Sequence, residues 1–279
     1  MSKTLILAEK PSVARDIAQA LSVPLADPAP HENDQNENDQ YVITSAIGHL
    51  VELATPEAYD PVWKSWSMGT LPMVQETFQL QPIRDSAAYL FGLKKLLARR
   101  DINLVINACD AGREGELIFR YIMRHAGCTK HVKRPWLSEN TPSAVRTAFS
   151  RLRDGAEMAN LGTAAELRSC ADWLIGINAT RAYTVRHSGF GNVLSVGRVQ
   201  TPTLALLVQR EQGIRGFQPL PYWQLVAQFS IRAGETYAGT WTRDDRDRFP
   251  TQAEAQRIQD ALAGVNRATV ARVEQKDKQ

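Results

Sequence analysis

Cysteine is scarce. Only Cys109, Cys128 and Cys170 occur in 279 residues, with no C-x-x-C pair and no spacing that suits a zinc site. An odd, sparse set argues against a disulfide framework and for reduced thiols in the cytoplasm. Cys109 reads as a small buried hydrophobe at a strand end. Unbroken apolar runs of the roughly 18 residues a membrane span needs are missing, as is a signal-peptide core. No G-x-x-x-x-G-K-[ST] loop occurs, so no nucleotide cofactor is implied. What remains is ordinary for a globular chain, 43% apolar and 23% charged, with length for two to three pieces. A net charge of +3 permits nucleic-acid binding without demanding it. The charge is uneven. Residues 27–40 are acidic and amide-rich and read as a mobile surface loop, whereas 181–215 carries Arg181, Arg186, Arg198, Arg210 and Arg215 against Glu211. The second stretch is the better candidate for a phosphate-facing surface.

Short apolar runs alternate with helical patterns through the first half. Strands are expected at 4–8, 41–47 and 104–108, with a last short one at Trp136-Leu137. Helices are expected at 12–21, 87–99 and 114–124, and from Thr141-Pro142 through Leu152. This alternation predicts an α/β domain over 1–155 with a largely parallel sheet, ending where Gly155 punctuates. The texture over 156–215 is helical: a long pattern covers 164–186, and Thr201-Pro202 is expected to open a helix that Gly213 stops. Residues 216–279 are strand-rich, with paired strands around Gly234, a capped helix after Thr251, and a strand over 268–274. That third piece looks incomplete, since so few strands with one helix are marginal alone. Trp63 and Trp66, in a poorly periodic stretch, read as core or loop anchors.

Two strand ends carry chemistry. Thr4–Ala8 runs into Glu9-Lys10-Pro11-Ser12, and Leu104-Val105-Ile106 runs into Asn107-Ala-Cys-Asp110-Ala-Gly-Arg-Glu114-Gly-Glu116. In open α/β sheets ligands bind outside the carboxyl ends of the strands. Carboxylates gathered there are the usual ligands of Mg²⁺. Taken alone, Asp110, Glu114 and Glu116 would equally suit a solvated helix N-terminus. Farther on, Leu194-Ser195-Val-Gly-Arg198-Val-Gln200-Thr201-Pro202 alternates a hydroxyl, a guanidinium and an amide ahead of the Thr-Pro helix start. Such groups suit a phosphodiester, and they would also suit a capped helix with an exposed arginine.

In order along the chain stand Glu9-Lys-Pro-Ser, Ile47-Gly-His49-Leu, Tyr59-Asp-Pro and Asp110–Ile118. Trp136-Leu-Ser-Glu-Asn-Thr-Pro, Arg168…Asp172-Trp-Leu-Ile-Gly, Thr180-Arg-Ala and Ser195–Leu204 follow. Together they resemble the N-terminal portion of the type IA DNA topoisomerases, of the topoisomerase III branch. The last segment is close to that family's S-x-G-R-V-Q-T-P-T-L signature, and the resemblance covers roughly residues 3–225. It implies a Toprim domain, Rossmann-like, followed by a helical segment and part of a strand-rich gate domain. It also implies an isomerase that cuts one DNA strand, holds it through a phosphotyrosine, passes another strand and reseals without ATP.

The resemblance further implies residue roles. Glu9 would assist proton transfer and Lys10 would neutralise charge at the scissile phosphate. Glu9, Asp110 and Glu114 would hold Mg²⁺. Ser195, Arg198, Gln200, Arg168 and His49 would contact the backbone of mainly single-stranded DNA, with Asp172 as a helper. Two departures stand out. The usual acidic pattern D-x-D-x-E has Gly112 at its centre here, so one carboxylate is missing. No tyrosine of the chain has the context of the family's nucleophile, so a truncated portion without strand cleavage is expected. The alternative is a non-catalytic single-stranded DNA-binding protein derived from such an enzyme. A Toprim nuclease or primase is opposed by Ser195–Leu204.

Overall fold

In the computed structural model, residues 2–25, 35–187, 191–232 and 234–275 are described. The chain divides into two units, Met1–Ala205 and Leu206–Gln279. Most of the acidic 27–40 stretch lies outside the described residues; its last part contributes an edge strand.

The first unit runs β1 (Lys3–Ala8), α1 (Pro11–Ala20), β2 (Asn36–Glu37), β3 (Tyr41–Ser45), β4 (Val51–Leu53), α2 (Pro56–Tyr59), β5 (Leu80–Pro82) and α3 (Ala87–Ala98). It continues with β6 (Ile102–Ala108), α4 (Arg113–Ala126), β7 (His131–Arg134), α5 (Pro142–Phe149), β8 (Arg153–Asp154) and α6 (Ala159–His187). Six strands form one sheet in the order β2-β3-β1-β6-β7-β8. The four central strands are parallel and both edge strands antiparallel. Leu5, Ile6, Leu7 and Ala8 are all fully buried, because helices cover both faces of the central strands. Val13, Ala14, Ile17 and Ala18 of α1 and Val145 of α5 pack on the Ile6, Ile43 and Ile106 face. Leucines of α3, the apolar side of α4 and Trp173 of α6 pack on the Leu5, Leu7 and Val105 face.

The expected alternation is therefore present, with two differences. The strand after α4 lies at His131–Arg134, not at Trp136-Leu137. The helix after Thr141, whose hydroxyl accepts from the Ala144 amide, ends at Phe149. The long helix α6 packs on α4, and the Trp173 indole donates to the Ala54 carbonyl at 2.9 Å.

The next helix, α7 (Gln200–Arg215), begins before Thr201-Pro202 and runs through Gly213. Proline is tolerated there because first-turn amides lack an intrahelical acceptor. The boundary between the two units falls inside this helix. Within Leu206–Gln279, β9 (Val226–Arg232) and β10 (Glu235–Thr240) form an antiparallel hairpin, followed by α8 (Gln252–Ala261). Thr251 caps α8 by accepting from the Glu254 amide. The strand expected over 268–274 is not formed.

Candidate functional site

Neighbouring parallel strands bring distant residues to one edge. Ala8, the last residue of β1, pairs with Ala108, the last of β6. β3 lies on one side of β1 and β6 on the other, while the crossovers α1 and α4 cover opposite faces. The crevice between β1 and β6 is thus the switch point of the sheet, where such folds bind ligands. Glu9 and Asp110 stand in it. The Asp110 amide donates to Glu9 Oε2 at 3.3 Å, and Lys10 Nζ is 3.7 Å from Glu9 Oε1.

The turn after β6 is held from below by a residue the sequence reading did not single out. Arg134, 1% exposed, donates to the carbonyls of Asn107 (2.8 Å), Cys109 (2.5 Å) and Asp110 (2.6 Å). Its Nε is 3.6 Å from Glu116 Oε2. Burial pulls the Arg134 pKa down, opposed by the surrounding acidic groups. Glu116 accepts from Asn107 Nδ2 at 3.0 Å and from Arg120 Nε at 2.8 Å. The three acids of the turn are therefore divided: Asp110 and Glu114 stay at the edge, and Glu116 is an internal brace. Cys109 is buried as expected, and burial pushes its thiol pKa up.

Glycine at 115 has a steric reason. A Cβ there would lie 2.3 Å from the Asp110 carbonyl oxygen, so only glycine lets the first turn of α4 close on the acidic turn. Gly112 is different, with extended backbone and no heavy atom within 4 Å of a Cβ.

On the other side of Glu9, its carbonyl accepts from the Gly48 amide at 3.2 Å. Gly48 has a φ of +92°, and that left-handed step leads into His49. His49 Nε2 bonds to Glu114 Oε1. Both line a cleft of about 280 Å³ with Arg113, Arg168, Ser169 and Asp172. Asp172 is held by two arginines, Arg198 at 2.9 Å and Arg168 at 3.7 Å. The segment bearing Arg198 is fixed to α6 through Thr180, whose hydroxyl accepts from the Val196 amide (2.9 Å) and donates to the Val196 carbonyl (3.1 Å). Ser195 and Gln200 bond to each other at 2.6 Å.

The loops bearing Glu9, Asp110 and His49 thus lie side by side, and the Arg198 turn is joined to the His49–Glu114 cleft through Asp172. Glu9, Lys10, Asp110, Ser195 and Gln200 are not among the residues lining that cleft. Arg181 does not face outward as expected. It is 5% exposed, donates to the Trp63 carbonyl and lies 5.1 Å from the Trp66 ring, so it locks a loop.

Among the described residues, no group of three His, Cys, Asp or Glu side chains is arranged to hold a metal ion. The edge supplies hard oxygen donors, Glu9 and Asp110, with Glu114 tied to His49. One or two carboxylates fit an ion that keeps most of its water, as Mg²⁺ does.

The chain matches the Toprim domain family over residues 4–140 and the DNA topoisomerase family over residues 156–279. It is 45% identical to DNA topoisomerase 3 of Bacillus subtilis (strain 168) over 229 residues, 81% of this chain and 30% of that protein. The chain belongs to the type IA DNA topoisomerase family. DNA topoisomerase 3 of Bacillus cereus (strain ATCC 10987) is 39% identical over the full length of the chain, which covers 36% of that topoisomerase. Full-length topoisomerase I of Thermotoga maritima shares the fold, with a TM-score of 0.58 at 21% identity over 91% of this chain and 37% of that one. The chain spans about a third of the length of these topoisomerase 3 relatives. No helix among the described residues is long and apolar enough to cross a membrane.

Proposed function

We propose that this chain supplies the Toprim part (1–155), the helical DNA-binding part (156–215) and part of the strand-rich gate (216–279) of a topoisomerase III-like enzyme. That enzyme relaxes negatively supercoiled DNA by ATP-independent strand passage in the cytoplasm. The observation that carries the reading is the pairing of Glu9 with the Asp110 amide at the sheet's switch point, linked to the Arg198 turn through His49, Glu114 and Asp172.

Glu9 exchanges a proton at the scissile phosphate, and Lys10 stabilises the charge that develops there. Glu9 and Asp110, with Glu114 once released from His49, would hold Mg²⁺, which would supply positive charge to offset that of the phosphate. His49 and Arg198 are occupied by Glu114 and Asp172, and a DNA phosphate competes with those carboxylates for them. Arg168, Ser195 and Gln200 add backbone contacts, so single strands are held with little reading of bases.

No tyrosine of the chain has the sequence context of the family's nucleophile, so the chain alone is expected to bind oligonucleotides without cutting them. Arg198→Ala should weaken that binding for all sequences alike, and unchanged affinity would remove Arg198 from the phosphate contacts. The decisive experiment supplies the remainder of a Bacillus topoisomerase 3 in trans. Recovery of supercoil relaxation, lost again with Glu9→Gln, supports the enzyme; binding without recovery favours a DNA-binding protein that does not cleave.

A further inference from the structure

A second cleft, of about 510 Å³, lies wholly within Leu206–Gln279 and is lined by Trp241, Arg243, Arg246, Arg248, Phe249 and Arg257 among others. Its charge is lopsided. Asp244 and Glu254 are the only acids on its wall, against four arginines. Arg243 and Arg248 stand 3.9 and 3.7 Å from Asp244 and Asp247, whereas Arg246 and Arg257 form no ion pair among the described residues.

The backbone forces two of these cations together. Arg243 and Arg246 exchange both main-chain hydrogen bonds at 2.9 Å across the tight turn Asp244-Asp245, whose residues both have positive φ (50° and 59°). Residues directly opposite in an antiparallel pair share a face, and like charges there are destabilising. A hairpin built this way gains when an anion sits between the two guanidinium groups.

The floor is aromatic and stiff. Trp241 stacks on the buried Phe249 with ring centroids 4.4 Å apart, and Phe249 is bridged to Trp223 by two main-chain bonds. Arginines around a supported indole have the composition of a single-strand platform, where phosphates meet guanidinium groups and a base stacks on a ring. Among the described residues, no tryptophan, tyrosine or phenylalanine lines the His49–Asp172 cleft, which lacks the aromatic half of that combination.

We propose that this cleft is a second site for single-stranded DNA, with a phosphodiester against Arg246 and Arg257 and a base against Trp241. It shares with the proposed function only the premise that the chain meets single-stranded DNA.

The test photocrosslinks the full chain to a short oligothymidylate carrying 5-bromodeoxyuridine, maps the attached peptides and measures affinity against salt. Adducts are expected on the peptide bearing Trp241. Arg246→Glu with Arg257→Glu should abolish them and flatten the slope of log affinity against log salt by about 0.7, the share of one phosphate on a single strand. The milder pair Arg246→Gln and Arg257→Gln should act in the same direction if charge reversal disturbs folding. Arg267→Glu, outside the cleft, should leave the adduct in place. Adducts absent from residues 241–258, or an affinity and slope unmoved by both pairs, would overturn the proposal. An adduct at Trp241 sustains it whether or not one forms at 194–204, a segment without an aromatic ring to react; no binding at all would end both.

Discussion

Arg134 has four partners around one guanidinium, three main-chain oxygens and the Glu116 carboxylate, with 1% of its surface exposed. Removing one member of a buried ion pair leaves the other charge poorly compensated, at about 3–5 kcal/mol. Arg120 stays beside Glu116, so Arg134→Ala should cost nearer the lower limit, about 3 kcal/mol, read from urea unfolding. A loss under about 1 kcal/mol would mean that water satisfies the freed carbonyls. Gly112→Asp tests the neighbouring gap. The backbone there is extended and a Cβ meets nothing within 4 Å, so the added carboxylate is accommodated and should tighten Mg²⁺ binding in a titration. Equal affinity in the two proteins would show that position 112 does not face the ion. The Glu9 and Asp110 positions were legible in the sequence because acids directly follow apolar strand runs. Arg134 was not, because a charge inside a core leaves no trace in hydrophobic periodicity.

Among the elements, β1, α1, β6 and α4 follow the sequence pattern to within a few residues, since strands buried on both faces read as short continuous apolar runs. The strand β7 escaped that logic: His-Val-Lys-Arg is polar, and its place beside β6 rests on main-chain pairing and on Arg134. The apolar-polar alternation over 268–274 has no paired strand, so pattern alone did not make a strand there. The edge strand β2 lay within a stretch that composition marked as loop, and it is anchored by charge. Glu37 accepts from Arg99 at 2.9 and 2.8 Å and from Lys3 at 2.6 Å, and Arg99 also holds Asp101. Bonding to Arg99 draws the Glu37 pKa down from 4.5 to about 2. A depressed carboxylate contributes stability that is full above its unfolded value and fades as pH falls toward its folded one. This contribution should therefore be present above about pH 4.5 and vanish between there and about pH 2. Glu37→Gln should flatten that part of the stability profile measured by thermal unfolding, and an unchanged acid limb would exclude the Arg99 pair as its source.

For the whole molecule, a net charge of +3 understates the arrangement, because arginines gather around the Arg198 turn and, separately, in the 241–258 cleft. Binding to single-stranded DNA should accordingly fall linearly in log affinity against log salt, with a slope of about 0.7 per phosphate engaged. A flat response in an anisotropy titration would rule out backbone charge as the driving force. The family was legible because several short motifs recur in register across most of the chain. The packing of α6 on α4 was less so, since it is a tertiary fact with no local signal.

Three peptide oxygens at the end of β6 and in the turn after it, those of Asn107, Cys109 and Asp110, each already accept from the Arg134 guanidinium. Those oxygens are thereby engaged and are not free to ligate a cation. An ion drawn to this edge would be left with carboxylates and solvent as its ligands, and would exchange readily rather than be caged.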